Sequence, residues 1–366
     1  MYFKIDPVFL EHFKELKQVF LYITDECNLS CVQCLYKPNL TFHLKNKEIE
    51  LDTALNLISD FKELGASKLT IIGGEPTLYG LSEGSEPLFH VIRDAKQLGY
   101  EYVRIDTNGM FSDQMLDDPD FKKLDEITFS LDGYNSELND PVRGLGTFEK
   151  IISNMKKAVV NDYNVNITCC LHKELLKTDG DGTSRLDSMI EFASSLGISR
   201  INFHDLFKTG IPRDTWTGNI QSSIVDWASV FEDVTKKIEA EQYTIPVRIP
   251  QCFITAKEFD SNPGYYGYCP VKMGERVLVH PNGIIRICSL LICSPFGVAR
   301  FYENTIEWDR STTNELGDHT VDCNTPCTNQ SKIAYPEDLV PLCVSFKPKQ
   351  DEIIWNKEIQ WENLRK

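Results

Sequence analysis

Three cysteines near the start of the chain are the residues best suited to chemistry. Cys27, Cys31 and Cys34 follow a CxxxCxxC spacing, directly after an apolar run at residues 19–23. Iron–sulfur clusters are normally held by four cysteines. Three thiolates can bind three irons of a cubane and leave the fourth iron open to a small molecule. The spacing therefore predicts a catalytic site, with a structural zinc or simple buried thiols as the alternatives.

A glycine pair followed by a carboxylate ends the next predicted strand. Gly73 and Gly74 allow close approach of the backbone and unusual dihedral angles. The Glu75 carboxylate offers a partner for a cationic amine. These three residues are candidate binding residues.

Three further polar residues stand at or just after the ends of later strands. Asn108 either faces a ligand or forms an ordinary Asn-Gly turn. Ser130 ends the next strand and Arg143 follows it. The alternatives for these two are a polar strand end and a helix-entry loop.

Another strand ends in two side chains that can move a proton. His204 or Asp205 is a candidate general base, although a structural histidine explains His204 equally well. Cys169 and Cys170 lie within a strand, which favours core thiols. Donation of a hydrogen atom by one of them is the alternative.

The last third of the chain is rich in cysteine. Seven of the twelve cysteines lie between residues 252 and 343. Cys269 and Cys288 flank a Pro-Asn-Gly sequence that predicts a hairpin, and Cys323 and Cys327 form a second pair. Clustered cysteines in a cytosolic protein more often indicate metal than disulfides.

The elements that position these residues alternate between strand and helix, which is typical of parallel βαβ units in an α/β protein. Six strands favour a partial (β/α)6 barrel over a complete eight-stranded one. Chemistry then belongs at the C-terminal ends of the strands. The predicted strands are 19–24, 68–72, 102–106, 126–131, 165–171 and 200–206, the predicted helices 51–64, 87–98, 147–160 and 185–196, and the hairpin strands 276–280 and 284–288.

The texture of the sequence changes after Pro246, where helical periodicity fades and Gly, Pro and Cys become frequent. We place a domain boundary near residue 245. The predicted organisation is an N-terminal extension (1–18), the partial barrel (19–215), a bridging helical segment (216–245), a small cysteine-rich domain (246–345) and a tail (346–366).

Composition excludes several classes of protein. The chain has 38 Lys and Arg against 54 Asp and Glu, a formal charge of −16, which would repel a nucleic-acid backbone. No apolar run reaches the length of about 18 residues that a membrane span needs, and the N-terminus lacks the regions of a signal peptide. We expect a cytoplasmic protein with no membrane partner.

The three-cysteine motif resembles that of the radical S-adenosylmethionine (SAM) enzymes. The resemblance implies that SAM chelates the open iron and that an electron from the cluster, supplied by a flavodoxin- or ferredoxin-type reductant, cleaves it. The resulting 5′-deoxyadenosyl radical abstracts hydrogen from substrate. Glu75 would hold the ammonium of SAM. Gln33 is a departure, since many members have an aromatic residue just before the last cysteine.

Residues 129–133 and 140–148 are similar to a signature of one branch of these enzymes, which carries auxiliary clusters. In that branch the serine and the arginine approach SAM, and the arginine pairs with its carboxylate. The resemblance gives these roles to Ser130 and Arg143.

The order Cys269, Gly283, Cys288 fits the opening of the SPASM and twitch auxiliary-cluster domains. It implies one auxiliary [4Fe–4S] cluster on Cys269, Cys288, Cys323 and Cys327. The full SPASM pattern is broken because residues 312–322 contain no cysteine. A second auxiliary cluster on the three remaining C-terminal cysteines is the first alternative, and a zinc ribbon is the second. Those three residues are Cys252, Cys293 and Cys343.

The predicted function is hydrogen abstraction from an unactivated C–H bond of a small metabolite in natural-product biosynthesis, with the auxiliary cluster assisting oxidation. Sugars, aminocyclitols and nucleosides are the candidate substrates. The alternative is a maturase that crosslinks, epimerises or oxidises a ribosomal peptide. Only 26 residues precede Cys27, which is short for a leader-recognition domain.

Two other functions are less favoured. A relative that makes the molybdopterin precursor from GTP is disfavoured by the acidity of the chain and by its Leu364-Arg-Lys ending, which is not Gly-Gly. A non-enzymatic iron–sulfur or zinc protein, serving as scaffold or electron carrier, is the remaining hypothesis. It predicts no 5′-deoxyadenosine when the reduced protein meets SAM.

Overall fold

The computed structural model describes residues 1–34, 48–206, 220, 224–249, 251–255, 274–289, 297–310 and 339–343. Four of the cysteines discussed above lie outside these residues: Cys269, Cys293, Cys323 and Cys327. The side chain of Asp205 also lies outside the described part, although its backbone ends a strand.

A twelve-stranded sheet forms the body of the described chain, in the order β1-β13-β12-β11-β10-β2-β3-β4-β5-β6-β7-β8, and β9 pairs with β14 separately. The strands are β1 Lys4–Ile5, β2 Gln18–Thr24, β3 Lys68–Gly73, β4 Tyr102–Thr107, β5 Glu126–Ser130, β6 Val165–Leu171, β7 Arg200–Asp205, β8 Val247–Arg248, β9 Gln251–Thr255, β10 Arg276–Val279, β11 Ile284–Arg286, β12 Ala299–Tyr302, β13 Thr305–Trp308 and β14 Leu339–Cys343.

α-Helices connect the parallel strands β2 to β8 and cover one face of the sheet, except that two short 3-10 helices, Asp113–Asp117 and Phe121–Lys123, connect β4 to β5. The α2 helix shows why, because Ala54, Leu57, Ile58 and Phe61 recur on one side at helical spacing and are fully buried. The described helices are α1 Pro7–His12, α2 Leu51–Glu63, α3 Glu86–Gln97, α4 Ser136–Arg143, α5 Thr147–Val160, α6 Arg185–Ser195 and α7 Ile224–Glu239.

The predicted α/β alternation is confirmed, and each predicted strand and helix of this region begins and ends within two residues of the observed one. Strands β2 to β7 are parallel neighbours in chain order. The predicted number of six parallel strands was too small. Strand β8 pairs parallel with β7 on one side, and β10 pairs parallel with β2 on the other. The described sheet is open, with β1 and β8 at its edges.

Successive strand residues point to opposite faces of a sheet, and the two faces here differ in chemistry. Ile105, Ile127, Ile167 and Ile201 lie on the helix-covered face and are fully buried. We call the opposite face of β4 to β8 the polar face. It carries the side chains of Arg104, Asp106, Glu126, Ser130, Arg200, Asn202, His204 and Arg248.

The N-terminal extension is part of the sheet. Lys4 of β1 pairs with Thr305 of β13, and the buried Asp60 carboxylate accepts the backbone N–H groups of Tyr2 and Phe3 at 2.6 and 2.8 Å. Two residues of β1 are too few to show a period, so the sequence pattern did not reveal this strand.

The chain after residue 245 continues the same sheet. The predicted hairpin is confirmed as β10 and β11, and Gly283 turns it with φ +82°. A Cβ there would lie 2.5 Å from the Phe301 carbonyl oxygen, so glycine is required. The cluster-binding role and the boundary near residue 245 stay predictions. No helix in the described ranges has the length and apolarity to cross a membrane.

Candidate cofactor site

The cluster loop, residues 25–34, begins where β2 ends. Cys27 Sγ accepts the Leu29 N–H at 3.5 Å and the Asn108 Nδ2 at 3.7 Å. Cys31 Sγ lies 3.8 Å from the Arg143 carbonyl oxygen. Burial raises the pKa of the Cys27 thiol to about 11 and also raises the pKa of Cys31. Binding of iron would therefore displace protons from these thiols.

The donor set of the cluster loop fits an iron–sulfur cluster. Cys27, Cys31 and Cys34 are partly exposed in one short segment. Within the described ranges, no three His, Cys, Asp or Glu side chains gather closely enough for a single metal ion. A cubane presents a different iron to each thiolate, so its ligands stand further apart than those of one ion.

Gly73 and Gly74 let the end of β3 approach the cluster loop. A Cβ on Gly73 would lie 2.3 Å from the Thr24 carbonyl oxygen, and one on Gly74 would lie 2.2 Å from that of Glu26. The Gly74 N–H donates to Thr24 O at 2.7 Å. The expected close approach is present, toward the chain's own backbone. The expected unusual backbone dihedral angles are absent, since neither Gly73 nor Gly74 has a positive φ.

The Glu75 carboxylate is fully buried and joins two strand ends. Its Oε1 accepts the Thr77 N–H and hydroxyl at 3.1 and 2.6 Å and the Thr107 hydroxyl at 2.7 Å. Among the residues that the structure describes, its Oε2 accepts one hydrogen bond, from the Asn108 N–H at 2.6 Å. Burial raises the pKa of Glu75, although these hydrogen bonds oppose the shift. Oε2 keeps the capacity for one further donor.

Asn108 lies against the cluster loop. Its Nδ2 donates to Asn28 Oδ1 at 2.8 Å as well as to Cys27, and its Oδ1 accepts the Met110 N–H at 2.8 Å. The next residue, Gly109, has φ +76°. Asn108 forms the predicted turn, and its side chain contacts Cys27. Contact of Asn108 with a ligand stays a prediction.

Asp132 is a central residue that the sequence analysis missed. It is fully buried, and its Oδ2 lies 2.7 Å from Arg143 Nε and 2.6 Å from Gln33 Nε2. Its Oδ1 accepts the Cys170 N–H at 2.7 Å. Asp132 stands inside the motif that singled out Ser130, two residues further on. Its position in that motif is the signal from which Asp132 could have been predicted as a site residue.

Arg143 ends α4, which begins after the N-cap Asn135, where a loop had been the alternative. Burial alone would lower the pKa of its guanidinium, but the Asp132 carboxylate and the Cys31 thiol raise it. The Nε atom faces Asp132. In the described part of the chain, Nη1 and Nη2 have no protein partner and can pair with a carboxylate.

Ser130 and His204 lie on the polar face near the strand ends. Ser130 is partly exposed beside Thr168, and His204 is exposed beside Cys170. The pKa of His204 is lowered to about 4, because desolvation by the surrounding protein and the charge of Arg104 disfavour the imidazolium. His204 is therefore neutral near pH 7. Cys169, as expected, is fully buried in the core.

A second polar cluster lies deeper on the same face. The buried Glu126 carboxylate contacts Arg200 Nη2 at 3.0 Å and Arg104 Nη1 at 3.7 Å. Arg104 Nε also pairs with Asp106 Oδ1 at 2.8 Å. The sequence analysis named none of these residues. These four charged residues come from three different strands, so they carry no local spacing signal.

Arg248 adds a positive charge, and no carboxylate among the described residues forms an ion pair with it. It is exposed on β8, beside Asn202 of β7. Its pKa is lowered by desolvation and by the neighbouring charges of Arg200 and Arg104. Three arginines therefore share this part of the polar face with the two carboxylates of Asp106 and Glu126.

The auxiliary-cluster ligands are not brought together in the described residues. Cys288 is partly exposed just after β11 and packs on the core, while Cys269, Cys323 and Cys327 lie outside the described ranges. The backbones of Cys252 and Cys343 lie on the paired strands β9 and β14, opposite Leu342 and Gln251. The predicted ligand set of Cys269, Cys288, Cys323 and Cys327 therefore stays a prediction.

Comparison with known families agrees with the site. Residues 21–178 match the sequence model of the Radical SAM superfamily, and this match supports a radical SAM enzyme. The matched segment contains the cluster loop, the Gly-Gly-Glu turn, Asp132 and Arg143. That superfamily implies a [4Fe–4S] cluster and SAM as cofactors.

The chain is similar to curated proteins named GTP 3′,8-cyclase. The protein of that name from Clostridium perfringens is 22% identical over 278 residues, which cover 75% of this chain and 81% of the relative. The one from Limosilactobacillus fermentum is 31% identical over 137 residues, which cover 37% of this chain and 40% of the relative.

Solved structures share the fold. Streptococcus suis SuiB bound to S-adenosylmethionine superimposes with a TM-score of 0.57 and 17% identity, over 77% of this chain. The match spans 62% of the SuiB chain. Native anSMEcpe with bound AdoMet gives a TM-score of 0.58 and 16% identity, over 78% of each chain.

Proposed function

We propose that this protein is a radical SAM enzyme whose substrate is an anionic small molecule of the nucleotide class. The reaction class is carried by one observation: the cluster loop and the Gly-Gly-Glu turn are held together at the C-terminal ends of parallel strands, inside the matched segment. The substrate class is carried by the excess of arginine on the polar face.

The chain's own residues divide the work of binding. When bound, the [4Fe–4S] cluster and SAM supply a 5′-deoxyadenosyl radical that takes hydrogen from an unactivated C–H bond. Cys27, Cys31 and Cys34 hold the cluster. Glu75 Oε2 accepts the ammonium of SAM, and the Nη atoms of Arg143 pair with its carboxylate in the bidentate manner of a guanidinium.

Other residues position these groups and face the substrate. Asp132 fixes Arg143 through its Nε, so the guanidinium keeps one orientation. Asn108 orients Cys27 through a bond to its sulfur. The Ser130 hydroxyl has no partner within the described ranges, which supports contact with SAM. His204 is neutral at pH 7 and serves as general base if the reaction needs one; Asp205 is the second candidate.

The substrate class follows from local charge. Arg104, Arg200 and Arg248 outnumber the two carboxylates beside them, so an anion would neutralise the excess. The net charge of −16 had disfavoured GTP. That inference fails because salt screens exposed charges beyond a Debye length of about 8 Å, and a ligand feels the nearby arginines most.

This local charge favours nucleotides over the other predicted substrates. Aminocyclitols are cationic and would be repelled by Arg248, and neutral sugars would leave it unpaired. The curated relatives named GTP 3′,8-cyclase support a nucleoside phosphate. The peptide maturase gains no separate support, because the resemblance to SuiB is one of fold.

The reaction class is tested by product analysis. Anaerobically reconstituted protein, reduced with dithionite or a flavodoxin, is given SAM, and 5′-deoxyadenosine is measured by chromatography. We expect the product from the native protein and none from Cys31→Ala. Its absence from the native protein would leave the iron–sulfur scaffold or electron carrier as the function.

The substrate class is tested by adding nucleotides to the same reaction. We expect GTP or another nucleoside triphosphate to stimulate 5′-deoxyadenosine formation, whereas glucose and an aminocyclitol do not. Arg248→Gln should raise the KM for the nucleotide about tenfold, in line with the loss of one charged hydrogen bond. Arg300→Gln, an exposed arginine on β12, is the matched control. An unchanged KM in Arg248→Gln contradicts the assignment.

The auxiliary cluster is tested by iron counting. We propose that Cys269, Cys288, Cys323 and Cys327 hold one [4Fe–4S] cluster, so the reconstituted protein should contain about eight irons. Cys323→Ala should reduce the count to about four, while Cys169→Ala, a buried core thiol, should not. About four irons in the native protein would contradict the auxiliary cluster, and about twelve would indicate two.

A further inference from the structure

His280 follows β10 directly and lies on the side of the sheet that carries the polar face. The preceding residue, Val279, shares a row of the sheet with Leu21 and Ile105, and that row is buried under the helices. Because successive strand residues point to opposite faces, His280 points away from the helices. The side of the sheet that carries the polar face on β4 to β8 therefore continues across β3 and β2 to β10.

The surroundings of His280 on this side are aromatic and apolar. Its ring stacks on Tyr22 of β2, with the ring centroids 4.2 Å apart and an interplanar angle of 25°. Tyr22 and Leu278 are buried, and Phe20 and Ile72 pack against them. We call these four residues and His280 the aromatic patch. It stands at the same ends of the parallel strands as the cluster loop, because the loop continues β2.

The aromatic patch contains one polar atom without a partner. His280 is 3% exposed, and its Nε2 is inaccessible to solvent and has no hydrogen-bond partner among the residues that the structure describes. Buried polar atoms are rarely left unpaired, because such an atom loses its bonds to water and gains nothing in return. Ligand sites commonly combine apolar walls with a few polar atoms of this kind.

The charges next to His280 are balanced. Burial lowers the pKa of His280, and the charge of Arg286 lowers it further, so the imidazole is neutral near pH 7. Burial raises the pKa of Asp25, and the charge of the same arginine opposes that shift. Arg276 stands four residues away along β10, about 13 Å, with its guanidinium over the Phe20 ring. One acid and one base beside a neutral ring suit an uncharged ligand group better than a phosphate.

We propose that His280 Nε2 forms a hydrogen bond with the nucleobase of the substrate, and that the aromatic patch receives this base. The proposal rests on the proposed function, which takes a nucleotide as substrate. A flat base packs well on aromatic side chains, and its edges carry donors and acceptors, so either tautomer of the imidazole can pair with it. The phosphates then lie toward Arg104, Arg200 and Arg248, on the other part of the same side.

Equilibrium dialysis with three probes separates the base from the phosphates. The first probe is whichever of ATP, GTP, CTP and UTP the native protein binds most tightly. The second is ribose 5-triphosphate, which lacks the base, and the third is inorganic tripolyphosphate, which also lacks the ribose. The reconstituted protein is used without SAM, so that no turnover occurs. We expect ribose 5-triphosphate to bind the native protein at least about tenfold more weakly than the nucleotide.

Two variants of His280 test the hydrogen bond itself. His280→Phe keeps an aromatic ring against Tyr22 and removes Nε2, so the nucleotide should bind about tenfold more weakly. Ribose 5-triphosphate and tripolyphosphate should bind this variant as they bind the native protein. His280→Gln places an amide near the position of Nε2 and should restore nucleotide binding to within about threefold of the native value. Arg248→Gln, in contrast, should weaken the binding of all three probes.

His12→Phe is the matched control for the loss of a buried imidazole. His12 is buried on α1 and packs against the rings of Phe13 and Trp308. Because it is far from the aromatic patch, its replacement should leave the binding of each probe within about twofold of the native value.

The outcomes separate this contact from the proposed function. Unchanged nucleotide binding in His280→Phe overturns the contact. An equal loss for ribose 5-triphosphate would mean that His280 contacts the ribose, and an equal loss for tripolyphosphate would mean that it contacts the phosphates; each result contradicts the proposal. If His280→Phe does not take up iron, His280→Leu replaces it with the same expectations. A native protein that binds none of the four nucleotides refutes the nucleotide substrate itself.

Discussion

At the residue scale, Gly74 is where the cluster loop and β3 come closest. A methyl group there would lie 2.2 Å from the Glu26 carbonyl oxygen, so the backbone would have to shift to accept it. We expect Gly74→Ala to lower the free energy of unfolding by about 3 kcal/mol, the upper range for overpacking, and to reduce iron uptake. Urea unfolding and iron analysis measure both effects.

Gly180→Ala is the matched control for this substitution. No atom lies within 4 Å of a Cβ at Gly180, and its φ is not positive. We expect its stability and iron content to match those of the native protein. Equal effects of the two substitutions would contradict the close approach.

His204 makes a prediction about pH. Its pKa of about 4 is below the ordinary value of 6.5, so the unfolded chain binds a proton more readily than the folded protein does. Stability contributed by neutral His204 is therefore full above pH 6.5 and falls as the pH decreases toward 4. His204→Gln should lose less stability between pH 6.5 and pH 4.5 than the native protein. Histidine NMR titration should give a midpoint near 4, and a midpoint above 6 would contradict the assigned surroundings.

At the element scale, Glu126 joins three strands of the sheet. It lies on β5 and contacts Arg104 of β4 and Arg200 of β7. Breaking one partner of a buried ion pair leaves uncompensated charge. We expect Glu126→Gln to lower the free energy of unfolding by about 3 kcal/mol, measured in urea.

Glu101→Gln is the control for this substitution. Glu101 is exposed just before β4, and within the described ranges it forms a backbone hydrogen bond to Ser67 and no side-chain contact. Its replacement should change stability by less than about 0.5 kcal/mol. If Glu126→Gln also lowered the free energy of unfolding by less than about 0.5 kcal/mol, the polar face would be hydrated and its ion pairs would contribute little to stability.

Helices and strands were predicted correctly where the sequence has a regular hydrophobic periodicity. Long amphipathic segments such as 147–160 matched α5 residue for residue, because one apolar stripe specifies both the type and the extent of a helix. Strands such as β1 and β8 have two residues each, and such strands are defined by their partners. The helix α4 has eight residues, contains Pro141 and begins at an Asn cap. Its pattern is too short to predict a helix, and none was predicted there.

At the scale of the whole molecule, the sheet joins strand β2, near the start of the chain, to strands that follow residue 245. Strand β10 pairs with β2, and Val277 stands opposite Val19 with both fully buried. Truncating such a residue costs about 2 kcal/mol. If the sheet unfolds as one unit, Val277→Ala should accelerate amide hydrogen exchange equally in β2, β4 and β10.

A different pattern of hydrogen exchange would contradict unfolding of the sheet as one unit. Acceleration confined to β10 and β11 would show that the C-terminal strands open separately, and would favour the predicted domain boundary near residue 245. Val160→Ala, at an exposed valine that ends α5, controls for a general effect of losing methyl groups.

The sequence by itself determined the chemistry that depends on local spacing. Cys27, Cys31 and Cys34, the Gly-Gly-Glu turn and the order of strands and helices are all readable along the chain, because each is specified within a few residues. Tertiary structure alone decided the rest. The contacts of Asp132 with Gln33 and Arg143, and the cationic part of the polar face, depend on residues that are far apart in the chain. Only the packing of loops, helices and strands brings these residues together.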